Sequence, residues 1–161
     1  MRAKMGRMNG VRNGRNGFSL IELLIVVAII LIIAAIAIPN LLRSKMAANE
    51  ASAVGSLHAI NSAAVEYNGF YGQFPTNLSN METNGAVSSS AADLIDSVLG
   101  SGTKGGYVFT YTVGASNTTY TISAGPLVPN VTGQSYFFTD QSFVIRRNIG
   151  AVADSSSTPI T

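Results

Sequence analysis

The 161-residue chain contains no cysteine, a single histidine, and only 11% charged side chains. Each scarcity removes a class of chemistry. Without cysteine there is no disulfide framework, no thiolate zinc site, no iron–sulfur cluster and no cysteine nucleophile. The single histidine, His58, cannot build a histidine-rich metal centre. A length of 161 residues allows one modest domain with an appendage, and leaves no room for the two-domain plan of many cofactor enzymes. Acidic residues are missing from the first seventeen positions, which hold Arg2, Lys4, Arg7, Arg12 and Arg15, half of the ten basic residues. The remaining five basic residues face eight carboxylates, so residues 18–161 carry a formal charge of −3 although the whole chain is +2. The apparent basicity belongs to a Gly- and Asn-punctuated leader of the kind that precedes an export signal, and no nucleic-acid partner is expected.

What is abundant is apolar surface: 47% of residues are hydrophobic and the mean hydropathy is +0.29. The excess lies in Phe18 to Ile38, FSLIELLIVVAIILIIAAIAI, whose one ionisable side chain is Glu22. Twenty-one residues make about 31 Å of helix, close to the thickness of a bilayer hydrocarbon core. A secretory signal has a shorter apolar region followed by a small-residue cleavage site. Ala35-Ile36-Ala37 offers such a site, and a soluble protein beginning at Ile38 is the competing reading. Glu22 argues against it. A carboxylate costs about 2.5–3.5 kcal/mol at the centre of an inserted helix and less near its end, a cost that a disposable signal has no reason to carry.

The join between leader and apolar helix reads Arg15-Asn16-Gly17-Phe18-Ser19-Leu20-Ile21-Glu22. GFSLIELLIVVAII closely resembles the prepilin signature of type IV pilins and of the pseudopilins of type II secretion, which are cut before the apolar stretch. Gly17 before the cut, Phe18 after it, Glu22 at the fifth position from Phe18 and Pro39 at the usual proline position all match. The resemblance covers about Gly17 to Tyr71. The chain lacks the C-terminal cysteine pair of many type IV pilins, and has no obvious match to the calcium loop of the major pseudopilins. The resemblance implies that a prepilin peptidase cuts between Gly17 and Phe18 and N-methylates Phe18, and that an assembly ATPase and an inner-membrane platform protein extract the subunit. It further implies an inner-membrane prepilin with its head outside, then an extracellular pilus or a periplasmic pseudopilus.

Cleavage at this bond removes the basic leader and creates an α-amine four residues from Glu22. Glu22 is then open to three roles: snorkelling towards headgroups, pairing with the amine of its own chain, or neutralising the amine of a neighbouring subunit. The last is favoured by the register of the motif. Lys and Arg crowd the N-terminal flank while only Arg43 and Lys45 follow the span closely, so the residues beyond Ile38 face outside.

After Pro39 the sequence keeps a helical pattern, and a kinked continuation is expected. Ala53, Leu57, Ile60, Ala64, Tyr67 and Tyr71 form an apolar stripe, with Asn49, Ser52, Ser56 and Glu66 mostly on other faces, and Gly69 and Gly72 end the helix. A short helix is expected over Ala91 to Leu99, with Asp93 and Asp96 favoured by its dipole rather than by a metal. Tyr107 to Val113, Thr119 to Ala124, Ser135 to Thr139 and Ser142 to Arg146 read as four antiparallel strands, the last two joined tightly through Asp140-Gln141. Gly100 to Gly106 lacks the P-loop pattern and reads as a turn. Tyr136, Phe137 and Phe138 read as core rather than as a stacking platform. The triplets at Asn77, Asn117 and Asn130 match N-glycosylation acceptors, a pattern common by chance.

The expected fold is therefore α+β: a leader (1–17), a transmembrane or filament-core helix (18–38), its amphipathic continuation (39–71), a head with a small antiparallel sheet (72–149) and a mobile tail (150–161). No catalytic constellation, metal site or cofactor is expected. The expected function is polymerisation, with apolar helices of many subunits burying in a filament core the surface that lipid first covered, by heterologous packing that extends indefinitely. A pseudopilus subunit, a minor pilin binding DNA or surfaces, and a secreted soluble protein are the alternatives.

Overall fold

A computed structural model of the chain describes residues 17–83 and 87–160. The leader cations Arg2, Lys4, Arg7, Arg12 and Arg15 lie outside the described residues. Helix α1 runs from Leu20 to Tyr71 as one 52-residue element with Pro39 inside it. Contacts divide the chain after Pro39 into two compact units.

In the first unit, the apolar stretch has no buried residue, and Phe18 is 84% exposed. Among the described residues α1 is the one helix long and apolar enough to cross a membrane. Pro39 removes one backbone donor without ending the helix.

The second unit is the head. The stripe of Ala53, Leu57, Ile60, Ala64 and Tyr67 is buried, and Tyr71 packs against it partly covered. Ser56, Asn61 and Ala63 are buried as well, so the covered face is wider than the 3-4 spacing alone predicts, and Ser56 does not lie on an outer face. The helix ends at Gly72, whose φ of +72° only glycine adopts freely and whose N–H donates to the Asn68 carbonyl at 2.8 Å. Gly69 stays within the helix.

Against this face lies an antiparallel sheet of six strands in chain order: β1 (Thr103–Lys104), β2 (Tyr107–Val113), β3 (Tyr120–Pro126), β4 (Ser135–Asp140), β5 (Arg146–Ile149) and β6 (Thr158–Pro159). Alternation along β3 and β4 sends Tyr120, Ile122, Ala124 and Phe137 inward. Both edge strands have two residues, and β6 carries Pro159, which limits edge-to-edge pairing.

Three expectations are corrected. The strand expected at Ser142 to Arg146 is displaced: β5 begins at Arg146 and pairs Arg146 with Phe138 and Ile149 with Ser135. The Phe143-Val144-Ile145 run has strand composition, but Phe143 sits at φ +65° in the turn and Ile145 enters the core. The helix expected at Ala91 to Leu99 shrinks to α2 (Ser97–Gly100), because Ser88 bridges Ala91 and Ile95 bridges Glu82 in extended backbone. The expected mobile tail contains β6, a buried Ala153, and an Ile160 N–H bonded to the Ile145 carbonyl at 2.8 Å. The turn expected at Gly100 to Gly106 is found only in part: Gly100 ends α2, Thr103–Lys104 is β1, and Gly105-Gly106 turns the β1–β2 hairpin.

Asn61 joins two buried hydroxyls across the core, whereas the buried Tyr111 hydroxyl has no partner among the described residues. Asn61 Nδ2 donates to Thr139 Oγ1 at 3.0 Å, and Tyr120 Oη donates to Asn61 Oδ1 at 3.0 Å. Burial, with Asp140 nearby, pushes the Tyr120 hydroxyl up to about 12.

Candidate processing and assembly site

Gly17, Phe18 and Ser19 lie outside regular secondary structure and are exposed, and α1 begins at Leu20. The first helical hydrogen bond runs from the Leu23 N–H to the Ser19 carbonyl at 3.2 Å, which makes Ser19 the N-cap residue. Glu22 reaches back to this residue: its Oε2 accepts from the Ser19 N–H at 2.9 Å. That bond is one arm of a capping box, with Glu22 at the third helical position. A carboxylate in the first turn also faces the positive end of the helix dipole.

The arrangement brings Gly17, Phe18 and Glu22 to one helix end, with Pro39 more than four turns further along α1. A Cβ placed on Gly17 would meet no atom of the described residues within 4 Å. Neither packing within the described chain nor a positive φ therefore requires glycine at this position. In the uncut chain the Phe18 nitrogen is a peptide amide. After cleavage it becomes an amine one residue from the N–H that Glu22 already holds.

The remaining candidates lie in the head. Asp96 caps α2 through the Leu99 N–H at 3.0 Å and pairs with Lys104 at 2.7 Å. These partners, the Lys104 hydrogen bond first, hold its carboxyl below the usual range. Asp93 lies outside α2, at φ +56°, and accepts from the Thr83 hydroxyl. His58 is exposed on α1 beside Phe143. Phe137 is buried in the core, while Tyr136 and Phe138 are half-buried on the opposite face.

Two contacts on α1 escaped the sequence reading. Asn49 Nδ2 donates to the Thr132 carbonyl at 2.8 Å. Glu50 accepts from the Gln134 N–H at 2.9 Å, the Ser135 N–H at 3.1 Å and the Ser135 hydroxyl at 2.8 Å. Burial pushes the Glu50 carboxyl up, but these hydrogen bonds and the nearby Arg147 outweigh it and hold it below its ordinary value. No local pattern announces partners more than eighty residues away. The Ser19–Glu22 bond does have a local signal, the S-x-x-E spacing at the head of an apolar run.

The model of the prokaryotic N-terminal methylation motif matches residues 12–38. This is the prepilin signature of type IV pilins and pseudopilins, and it contains Gly17, Phe18 and Glu22 and ends one residue before Pro39. No curated protein and no solved structure matches the chain.

Proposed function

We propose that this chain, which carries the prepilin signature, is a structural subunit that polymerises into a type IV pilus once its leader has been removed. One observation carries the reading: the helix that starts three residues after Gly17 leaves its whole apolar half uncovered by its own chain and then becomes the core helix of the head. A stretch so apolar needs lipid or other proteins around it. A membrane supplies the first cover, and the equivalent helices of neighbouring subunits supply the second.

The processing step is hydrolysis of the Gly17–Phe18 bond. Water adds across the peptide, Gly17 leaves as a carboxylate and Phe18 keeps the α-amine, which is then methylated. A residue without a side chain at Gly17 suits a peptidase that must approach the backbone closely. Glu22, already turned back towards the helix start, supplies the anion for that amine, in its own chain before assembly and in the adjoining subunit within the filament. The prepilin peptidase, the assembly ATPase and the platform protein are the partners this function needs. A pseudopilus subunit uses the same steps and differs in where and how far the polymer grows.

The test is the mass and N-terminal residue of the mature protein together with electron microscopy of sheared cell surfaces. A mature chain beginning at methylated Phe18 in filaments is expected. A mature chain beginning at Ile38 overturns the reading.

A further inference from the structure

The loop between β3 and β4 exposes three aliphatic side chains in one turn: Leu127 at 55%, Val128 at 47% and Val131 at 56%. Its place in the head follows from contacts with α1. At one end of the sheet, Tyr120 and Thr139 bond Asn61; at the other, Thr132 bonds Asn49 and Gln134 and Ser135 bond Glu50. From Asn61 back to Asn49 is twelve residues, about 18 Å of helix. From Tyr120 to Pro126 is six residues, about 20 Å of strand. β3 therefore runs back along the helix towards its early turns, and the loop lies at the end of the head nearest Asn40. A cleft lined by Arg43, Met46, Ala47, Glu50 and Gln134 lies beside it.

Two further features of this end point to one partner. Residues 39–49 contain Arg43 and Lys45 and no carboxylate, and among the described residues neither cation is in an ion pair. The nearest acid, Glu50, is occupied by Gln134 and Ser135. Second, the backbone donors of residues 127–132 are met within the head. The Leu127 N–H donates to the Gly106 carbonyl, Val128 to Thr132 Oγ1, Asn130 to the Gly133 carbonyl, and Val131 and Thr132 to the Val128 carbonyl. Pro129 has no N–H. Aliphatic side chains on a backbone whose donors at 127–132 are satisfied, with Arg43 lining the adjoining cleft and Lys45 about half a turn further along the same exposed stretch of α1, suit the interface of an anionic lipid surface.

We propose that the β3–β4 loop, with Arg43 and Lys45, is a basal foot that docks the head on anionic phospholipid before assembly. The proposal rests on the reading that residues 18–38 span a membrane, since that span ends five residues before Arg43. The foot holds the unassembled subunit in one orientation on the surface, and extraction for polymerisation must release it.

The chain has no tryptophan, so single reporters are clean. Full-length protein carrying Val128→Trp is reconstituted in vesicles of phosphatidylcholine alone or mixed equally with phosphatidylglycerol, with nitroxide on the headgroups. Phe143→Trp, beside His58 further along α1, reports a position away from the base, and Ile30→Trp with acyl-chain nitroxide reports the span. Headgroup quenching at Val128→Trp is expected in the anionic mixture and not at Phe143→Trp. It should weaken in neutral lipid and in molar salt, where the screening length falls to about 3 Å. Adding Arg43→Gln and Lys45→Gln, both at exposed positions, should shift the docked-to-free ratio by about 25-fold, at roughly fivefold per cation. Amide exchange of residues 127–132 in the native sequence, slower in the anionic mixture, checks that tryptophan did not create the contact. Quenching at Val128→Trp no greater than at Phe143→Trp, with Ile30→Trp quenched, overturns the foot and leaves the span standing. An unquenched Ile30→Trp removes the span and the foot together. A Val128→Trp signal that follows subunit density instead of lipid charge assigns the loop to a second copy and also overturns it.

Discussion

Replacing Glu22 in two ways separates two roles that share one side chain. In the uncut chain its carboxylate accepts from the Ser19 N–H at 2.9 Å and so starts the helix. A glutamine at this position keeps that bond, because its amide oxygen accepts as well, whereas alanine loses it. Losing the cap costs about 1 kcal/mol, roughly fivefold in how often the first turn is formed. Losing the charge acts elsewhere: an α-amine buried in a filament core without its anion costs about 3–5 kcal/mol, roughly two to three and a half orders of magnitude in assembly. If the charge role governs, Glu22→Gln and Glu22→Ala are equally deficient in filaments. If the cap governs, Glu22→Gln behaves as the native protein and Glu22→Ala shows only the small effect. Cleavage should survive in both, since the Gly17–Phe18 bond is untouched, and insertion should become easier as the carboxylate disappears from the span. The assay counts surface filaments per cell, with immunoblots for subunit level and mass spectrometry for processing. Normal filament numbers from processed, normally abundant Glu22→Gln protein would refute the charge role and leave Glu22 as a helix cap. Reduced subunit levels together with reduced filaments would instead indicate that the lost partner was the amine of the same chain.

Four other outcomes are expected. Gly17→Val should leave the leader attached, because a β-branched side chain crowds the scissile bond; an unchanged mature mass would show that the peptidase does not read this position. Residues 39–161 expressed alone should give a soluble monomer by sedimentation that builds no filaments, and filaments from this fragment would place the assembly drive in the head. Asn61→Ala should destabilise that head by about 2–4 kcal/mol in denaturant unfolding, since the buried Tyr120 and Thr139 hydroxyls lose their shared partner; a loss well under 1 kcal/mol would mean that water replaces it. The folded head holds the Glu50 carboxyl below its ordinary value of 4.5, so its contribution is complete above that value and is lost as pH falls through the lower folded one. Melting temperatures should therefore fall less steeply on acidification in Glu50→Gln than in the native protein, and parallel curves would show that Glu50 carries no such linkage.

The processing motif was legible because it is local. Gly17, Phe18 and Glu22 fall within six residues at the start of a run whose hydrophobicity needs no partner to be recognised. The same holds for the length of α1, for the buried stripe from Ala53 to Tyr67, and for β2, β3 and β4, whose side chains alternate as half-buried strands do. These are properties of period and composition, which each segment carries by itself.

What only the tertiary structure decided are the places where a partner far along the chain sets the outcome. Phe143-Val144-Ile145 has the composition of a strand, yet pairing with β4 is taken by Arg146–Ile149, and the earlier run is used to turn the chain and to place Ile145 in the core. Thr158–Pro159 has weak strand character and becomes β6 because β5 offers a free edge beside it. Asn61 stands among apolar neighbours and is buried only because Tyr120 and Thr139 satisfy it. Asn49 and Glu50 look like ordinary exposed residues of a helix until the loop at residues 132–135 folds against them, 83–85 positions away. Local periodicity reports which face of an element is apolar. It carries no record of which distant backbone groups will need a hydrogen-bond partner once water is excluded, and those needs are met only when the whole head has closed.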